Sequence, residues 1–441
     1  MSNLHDRIIP RLLHVFRTLL VCLLPTAVAQ AQGLPRARPD EVGLSGAALQ
    51  RIAPALQAYV DSGKLAGVVA VVARHGKLAY VASAGAMNRE RGQAMRADAV
   101  FRVFSMTKPI TSAAVLQLYD QGKLRLDDPV SKYIPAFATV KVYAGGSAAQ
   151  PTVRDPDRLI TIADLLTHTA GLTYGFFGNT PVDSIYRRAN LGNPRWTNAE
   201  LSDSLARLPL LFSPGSAWNY SFAIDVLGRV VEIVSGMPLD RYLESGIFRP
   251  LGMRNTGFRA TPGMDGHIVT AYHRGPGGTL QADSPLVTVD YTPEGRMLSG
   301  GGGLLSTVGD YLRFAQMLLR GGELEGRRIL KPETAAVMLR NHLPAALTPI
   351  ASPSPDWPPG KNGFGYGGAV RLDSATSVPG SPGTFRWAGY GTTFFWIDPK
   401  ADLIAMVWAQ YLPVMEMWRL DAEYQRLVYA AVSETRTAGR R

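Results

Sequence analysis

Strand-like patterns lie near the two ends of this 441-residue chain, and this distribution limits the folds that the chain can adopt. Near the amino terminus, the apolar runs 67–73 and 77–82 flank Arg74-His75-Gly76 and predict a β-hairpin. Further strands are predicted at 365–372, 384–388, 393–397 and 403–409, followed by a helix at 413–433. The simplest arrangement places the strands from both ends in one antiparallel sheet covered by helices.

The centre of the chain has a different pattern. Short helical patterns there cover 162–166, 198–207 and 223–234. They alternate with loops rich in glycine and proline, and no convincing hairpin occurs. We therefore predict an α/β (α+β) fold with a mainly helical insertion. The α/β domain would comprise 32–126 and 297–441, and the helical domain 127–296. An active site is expected in the cleft between two such lobes.

Residues 1–31 have the pattern of a secretory signal peptide. Basic residues precede a short apolar stretch at 19–29, and Ala29-Gln30-Ala31 is a cleavage motif. The apolar stretch is too short for a transmembrane helix, which needs about 20 residues; an uncleaved amphipathic helix is the alternative. Cys22 is the only cysteine, so a mature chain from Gln32 would exclude a cysteine nucleophile, a disulfide framework and a thiolate metal site. We expect a periplasmic or secreted protein.

Composition excludes several classes of protein. Hydrophobic residues make up 46% of the chain and charged residues 18%, which is typical of a globular protein rather than a disordered one. The formal net charge of +11 comes from scattered arginines, without the basic run typical of nucleic-acid binding. No apolar run reaches the ~18 residues of a membrane span. We therefore expect neither a nucleic-acid partner nor a membrane span, and the oligomeric state stays open.

The histidines give no sign of a metal site. Beyond the predicted signal peptide they are His75, His168, His267, His273 and His342. No pair of them has the i, i+3 or i+4 spacing of a zinc motif, so we expect no metal and no other cofactor. His168 is interpreted as a buried residue that holds a loop, with a catalytic base as the alternative. No G-x-S-x-G occurs, so the nucleophile elbow of the α/β-hydrolases is absent.

One motif indicates nucleophilic catalysis. Ser105-Met106-Thr107-Lys108 is the only S-x-x-K of the chain, and it begins a helix predicted over 105–121 with Gly122 at the expected cap. Side chains three residues apart at a helix start share one face. The helix N-terminus would stabilise an alkoxide on Ser105, and burial would lower the pKa of Lys108 so that it can accept the serine proton. Taken alone, an S-x-x-K also occurs by chance.

Two further candidates lie far from Ser105 in sequence. Tyr220-Ser221-Phe222 opens the predicted helix at 223–234, and a tyrosine at such a junction near a lysine could have a lowered pKa and relay protons. A packing role is the alternative. Trp387-Ala388-Gly389-Tyr390-Gly391 lies on a predicted strand, where small residues let backbone N–H groups approach a ligand. The alternative is an ordinary strand end with Trp387 in the core.

Together these motifs resemble those of the serine β-lactamase-related proteins. The S-x-x-K run is followed by Gly122-Lys123-Leu124-Arg125-Leu126-Asp127-Asp128-Pro129-Val130. The other matching runs are Leu165 to Leu172, Pro214-Gly215 with Tyr220-Ser221 and Leu227-Gly228, Gly300 to Leu304 with Ser306-Thr307 and Asp310, and Phe395-Trp396-Ile397-Asp398-Pro399. The resemblance covers about residues 35–430. The family includes class C β-lactamases, D-alanyl-D-alanine carboxypeptidases and family VIII carboxylesterases, and it implies a β-lactamase/penicillin-binding-protein-like fold.

The resemblance also implies roles for individual residues. Ser105 would be the nucleophile, Lys108 its base and Tyr220 the second proton carrier. Backbone N–H groups of Ser105 and Tyr390 would form the oxyanion hole, with Gly389 beside them.

Two departures from the lactam-acting members bear on the substrate. Those members have Lys-Thr-Gly where this chain has Trp387-Ala388-Gly389, and Tyr-x-Asn where Phe222 replaces the asparagine. Both changes remove a polar group that holds a lactam substrate and add aromatic surface. The family VIII carboxylesterases have a Trp-Gly-Gly-like strand and a Tyr-Ser-x motif, to which this chain is most similar.

The leading hypothesis is therefore an exported serine carboxylesterase that hydrolyses short-chain, small-molecule esters through an acyl-enzyme on Ser105. A β-lactamase or D-Ala-D-Ala peptidase (amide hydrolase) of the same family is the enzymatic alternative, which the missing lysine and asparagine disfavour. The third hypothesis is a catalytically silent penicillin-recognising binding protein, and the presence of Ser105, Lys108 and Tyr220 argues against it. Sequence alone leaves hydrolase and transacylase unresolved.

Overall fold

A computed structural model of the protein describes residues 33–264, 266–282, 291, 297–350, 361–374 and 378–432. The predicted signal peptide at 1–31 lies outside these residues. The strands are β1 Gly67–Arg74, β2 Lys77–Asn88, β3 Gln93–Ala94, β4 Phe101–Arg102, β5 Val142–Gly146, β6 Pro151–Arg154, β7 Tyr272–Arg274, β8 Leu280–Ala282, β9 Leu305–Ser306, β10 Glu323–Leu324, β11 Arg327–Arg328, β12 Asn362–Phe364, β13 Ala369–Arg371, β14 Phe385–Gly389, β15 Thr393–Asp398, β16 Leu403–Ala409 and β17 Tyr411–Leu412. The α-helices are α1 Gly46–Leu49, α2 Ile52–Asp61, α3 Thr107–Asp120, α4 Ile162–Thr167, α5 Pro181–Arg188, α6 Asn198–Leu205, α7 Ala223–Ser235, α8 Leu239–Leu243, α9 Arg249–Leu251, α10 Val308–Leu319, α11 Pro332–Leu339 and α12 Trp418–Ala430.

The largest sheet is built from both ends of the chain, as the sequence predicts. Its order is β12-β13-β14-β15-β16-β1-β2-β3. Every adjacent pair in it is antiparallel. The two ends meet where β1 pairs with β16, from Val68 opposite Ala409 to Arg74 opposite Leu403. The predicted amino-terminal hairpin is present as β1 and β2.

Both faces of the central strands β1, β15 and β16 are buried, which explains their long apolar runs. Val69 and Val71 of β1 belong to the larger core cluster, shared with α3 and α10, whereas Val68 and Val72 belong to a second cluster with α2 and α12. Successive side chains of a strand point to opposite faces, so a sheet covered on both sides needs apolar residues at every position. The helices therefore lie on both sides of the sheet.

The helices of the central region confirm the predicted helical stretches, but this region also contains two hairpins that the sequence did not predict. Helices α4, α6 and α7 occupy the three predicted stretches to within two residues. The expectation of no hairpin in the centre is wrong, because β5 pairs with β6 and β7 pairs with β8. All of β6 is exposed, so its sequence lacks the apolar alternation that marks a half-buried strand. The division of the chain into domains at 126/127 and 296/297 stays a prediction.

A second correction concerns the predicted strand at 365–372. This stretch is a turn followed by β13, which pairs back on β12. Gly367 sits in the turn with φ +90°, a left-handed conformation that favours glycine. Within the described residues, no helix has the length and apolar character needed to cross a bilayer.

Candidate active site

Ser105 lies in one turn of 3-10 helix, Phe104–Met106, that leads directly into α3. Phe104 has φ +44°, which is rare for a residue with a side chain. The pairing of β4 with β9 and a hydrogen bond from Val103 N to Leu304 O (3.0 Å) hold this segment in place. Such strain persists only where surrounding structure enforces it, and it is common at active sites. Ser105 itself is partly exposed at the start of the helix.

Lys108 is fully buried beneath Ser105 and is surrounded by three oxygen atoms. Its Nζ lies 3.3 Å from Ser105 Oγ, 2.8 Å from Tyr174 Oη and 2.7 Å from the carbonyl oxygen of Gly301. Burial lowers the pKa of Lys108 to about 7, and the nearby charge of Asp225 opposes this effect. A substantial fraction of Lys108 is therefore neutral near pH 7 and able to accept the proton of Ser105.

Tyr220 is the third polar group around Ser105. Its hydroxyl oxygen accepts a hydrogen bond from Trp387 Nε1 at 3.3 Å. Burial raises the pKa of Tyr220, although its interactions with Ser105 and Trp387 work in the opposite direction. The lowered pKa suggested for this tyrosine is therefore wrong, because desolvation outweighs its polar contacts. Tyr220 stays protonated in the resting site and can donate a proton that it then regains from a neighbour.

The glycine-rich segment after residue 299 lies beneath Lys108, and Asp225 of α7 is hydrogen-bonded to it. Asp225 is buried and accepts hydrogen bonds from Ser299 Oγ (2.5 Å) and Gly301 N (3.0 Å). A Cβ on Gly301 would lie 2.3 Å from Asp225 Oδ2, so this close approach requires glycine. Sequence reasoning missed Asp225, because an acidic residue in an amphipathic helix pattern is typical of a solvent-facing position.

Gly389 brings β14 against the backbone that leads to Ser105. A Cβ on Gly389 would lie 2.2 Å from the carbonyl oxygen of Val103, and Thr393 Oγ1 donates to that same oxygen at 3.4 Å. The ring of Tyr390 packs edge-on against Phe104, with centroids 6.2 Å apart. The segment predicted to supply the oxyanion hole is thus adjacent to the segment that bears Ser105.

Aromatic rings line the other side of Tyr220. The ring of Trp387 lies 5.2 Å from that of Tyr220, and the ring of Phe222 lies 4.4 Å from that of Tyr174. The structure therefore brings Phe222 and Trp387 to the same site as Ser105. Tyr174 was missed, although it follows the Leu165–Leu172 motif by two residues, because a tyrosine in a loop carries no signal of its own.

His168 is buried beside this cluster. Its ring centroid lies 4.9 Å from that of Tyr220, and its Nδ1 is 3.2 Å from Ser221 Oγ. Burial, reinforced by the charge of Lys108, lowers the pKa of His168 well below its usual range, so the ring is neutral. Its carbonyl oxygen accepts a hydrogen bond from Asn219 N at 2.9 Å, which ties together two loops as the structural interpretation expects.

Other features of the described residues lie apart from this chemistry. A cavity of about 560 Å³ is bordered by α10, α11 and β13, and none of the site residues named above lines it. Within the part of the chain that the structure describes, no three His, Cys, Asp or Glu side chains are grouped so as to hold a metal ion.

Comparison with known proteins bears on both fold and family. The family model described as Beta-lactamase matches residues 52–430. Esterase EstB of Burkholderia gladioli is 36% identical over 354 residues, which cover 75% of this chain and 83% of EstB. Lovastatin esterase of Penicillium rubens is 32% identical over 365 residues, or 79% of this chain and 89% of that protein. The solved structure of EstCE1, described as a hydrolase with promiscuous acyltransferase activity, matches with TM-score 0.73 at 30% identity, covering 87% of this chain and 99% of EstCE1. The predicted fold is confirmed.

Proposed function

The chain belongs to the β-lactamase family and is a serine hydrolase related to its esterases, and from this premise we propose that it hydrolyses short-chain carboxylic esters through an acyl-enzyme on Ser105. The observation that carries the proposal is the buried Lys108, whose Nζ lies 3.3 Å from Ser105 Oγ and whose pKa is lowered to about 7. The arrangement supplies a base that is active near neutral pH without a histidine.

Acylation requires one proton to move from Ser105 to the leaving alcohol. Neutral Lys108 accepts the proton of Ser105 as Ser105 Oγ attacks the ester carbonyl carbon. The negative charge on the carbonyl oxygen is stabilised by the N–H groups of Ser105 and Tyr390. Collapse of this intermediate breaks the bond to the alcohol, whose oxygen takes the Tyr220 proton, and Tyr220 is reprotonated from Lys108.

Deacylation repeats these steps with water as the nucleophile. Water gives a proton to neutral Lys108 and attacks the acyl carbon, and the acid leaves as Ser105 Oγ regains a proton through Tyr220. Lys108 returns to its neutral form, so no cofactor is consumed.

The aromatic residues favour esters over lactams. Trp387 and Phe222 offer no cation or amide to a substrate carboxylate and acylamide, and each unpaired buried polar group costs roughly 1–3 kcal/mol. An ester with a short apolar acyl chain carries neither group. The β-lactamase or peptidase alternative therefore requires polar contacts that these two side chains cannot make. A catalytically silent binding protein would not need the contacts that Lys108 makes.

Acyl transfer to an alcohol is the second candidate function. It follows the same acylation, but an alcohol replaces water in the second half of the reaction. The description of EstCE1 as a hydrolase with promiscuous acyltransferase activity supports this possibility. We also propose, from the signal pattern alone, that the mature protein begins near Gln32 outside the cytoplasm.

The experiment combines labelling with a substrate panel. The purified protein and its Ser105→Ala variant are treated with a fluorophosphonate probe, then assayed with p-nitrophenyl esters, nitrocefin and D-Ala-D-Ala peptides. We expect labelling of Ser105 and the highest kcat/KM on C2 to C6 esters. An unlabelled wild-type protein with no ester turnover would support the binding-protein alternative, and equal turnover of nitrocefin would support the lactamase alternative.

A further inference from the structure

Two adjacent phenylalanines, Phe176 and Phe177, are exposed to solvent close to the active site. Phe176 is 58% exposed and Phe177 is 40% exposed, and their ring centroids lie 4.4 Å apart. The other large apolar side chains that are exposed among the described residues are dispersed along the chain, at Tyr119, Val153, Leu159, Met237 and Leu372. A contiguous exposed apolar pair beside a catalytic group marks a binding surface more often than a scattered one does.

The loop that bears this pair is fixed by α5. Thr173 Oγ1 donates to Asp183 Oδ1 at 2.7 Å, and Arg187 Nη1 donates to the carbonyl oxygen of Gly178 at 3.0 Å and to that of Gly175. Asp183 also caps the start of α5. Polar side chains anchor the loop at both ends. The solvent-exposed position of the two rings is therefore fixed by the fold.

The pair is continuous with the catalytic groups. The ring of Tyr174 lies 5.2 Å from that of Phe176 and 6.1 Å from that of Phe177, and the ring of Phe177 lies 5.7 Å from that of Tyr220. We name Tyr174, Phe176, Phe177 and Phe222 the aromatic rim. It extends from the proton carriers at Lys108 out to solvent.

We propose that the aromatic rim binds the alcohol portion of the ester, and that the substrate is an ester of a bulky apolar alcohol with a short acyl group. This inference rests on the proposed function. Tyr220 must deliver its proton to the alcohol oxygen, so that oxygen lies beside Tyr220 when the bond breaks. The carbonyl oxygen lies instead against Ser105 and Tyr390, at the end of β14. A group attached to the alcohol oxygen therefore meets the rings of Tyr174 and Phe177, whose centroids lie 5.3 and 5.7 Å from that of Tyr220, and Phe176 and Phe222 extend this surface.

The test separates the two halves of the substrate. One series keeps the acetyl group and enlarges the alcohol from methyl through benzyl to 2-naphthyl, with acetic acid release followed by titration. A second series keeps p-nitrophenol and lengthens the acyl chain from C2 to C6. The variants are Phe176→Ala, Phe177→Ala and the double variant, and Tyr119→Ala, an exposed aromatic residue near the far end of α3, is the matched control. Thermal melting checks that each variant is folded.

We expect the double variant to lose about 10- to 30-fold in kcat/KM on 2-naphthyl acetate and less than about 2-fold on methyl acetate, as for removal of well-packed aromatic contacts. The dependence on acyl length should not change, and Tyr119→Ala should behave as the wild type. An equal loss on every ester would show a structural role, and a loss that grows with acyl length would place the acyl group on the rim; either result overturns the inference while leaving the esterase proposal intact. A wild-type protein that turns over no ester in either series overturns both.

Discussion

The two sides of the active site differ in how their groups are held. On one side, Ser105, Lys108, Asp225 and Gly301 are joined by hydrogen bonds of 2.7–3.3 Å, and Lys108 and Asp225 are buried. We call these four the polar side. On the other side, the rings of the aromatic rim contact one another at centroid distances of 4.4–6.1 Å, and those of Phe176 and Phe177 reach into solvent.

This difference separates chemistry from substrate choice. A buried charge or polar group that loses its partner is costly, so the polar side tolerates little change. Ring contacts are weak individually, so Phe176, Phe177 and Phe222 can change without disturbing Lys108, whereas the hydroxyl of Tyr174 is hydrogen-bonded to Lys108. Under the proposed function, the polar side would be common to esterase, lactamase and peptidase chemistry, whereas the aromatic residues would select the substrate.

The largest effect should come from the polar side itself. We expect Ser105→Ala and Lys108→Ala each to lower kcat by about 10³- to 10⁵-fold, and the double variant to be hardly worse, because the members of one catalytic unit act together. Steady-state kinetics on p-nitrophenyl butyrate measures this. Lys123→Ala, an exposed lysine of the same region, is the control. If Ser105→Ala retains normal turnover and a normal melting temperature, the nucleophile is a different residue.

A smaller effect should come from exchanging the aromatic residues for polar ones. In the wild type, kcat/KM for p-nitrophenyl butyrate should exceed that for nitrocefin by at least ~10², since two substrate groups lack partners. Phe222→Asn, alone and with Trp387→Lys, should shift this ratio towards nitrocefin. Because Trp387 is only 4% exposed, the single Phe222 variant guards against a folding defect in the pair. An unchanged ratio in both folded variants would mean that these side chains do not select the substrate.

Sequence reasoning identified Ser105, Lys108 and the sheet because their signals are local or periodic. The helix that begins near Ser105 and the apolar runs of β1 and β16 have spacing patterns that are visible in the sequence itself. The lowered pKa of Lys108 also followed, since it needs only burial. Tyr220 was misjudged because its pKa depends on the balance between desolvation and partners, and only the structure shows that balance.

The rest could not be predicted because it depends on contacts between distant segments. Asp225 and Gly301 are 76 residues apart, and Lys108 and Tyr174 are 66 apart. The hairpin of β5 and β6 escaped for a different reason, since exposed strands lack the apolar alternation that identifies a strand. The ordered family motifs supplied Tyr390 and Gly389, which no local pattern could have connected to Ser105.

A pH profile tests how the polar side is tuned. The pKa of Lys108 is lowered to about 7 by burial, and we propose that neutral Lys108 is the base, so kcat/KM should fall as pH drops through about 7. Asp225 raises the pKa of Lys108, whereas the neutral His168, Tyr174 and Tyr220 around it carry no charge. Asp225→Asn keeps acceptors for Ser299 and Gly301 but removes the negative charge, so the acid limb should move to lower pH. A limb that moves to higher pH, or stays unchanged, would mean that Asp225 does not set the charge of Lys108.

The smallest effect should come from Tyr174, which belongs to both sides. Its hydroxyl oxygen accepts a hydrogen bond from Lys108 Nζ at 2.8 Å, while its ring lies 4.4 Å from that of Phe222. Tyr174→Phe removes the oxygen and keeps the ring. Losing one hydrogen bond to the charged lysine should lower kcat/KM by about 2- to 10-fold and move the acid limb to lower pH. Preference among alcohols should not change, because the rim is intact. Tyr174→Leu removes the ring as well, and should in addition weaken the preference for 2-naphthyl over methyl acetate. If Tyr174→Phe alone abolishes that preference, the oxygen and the ring do not act separately, and the division of the site into two sides fails.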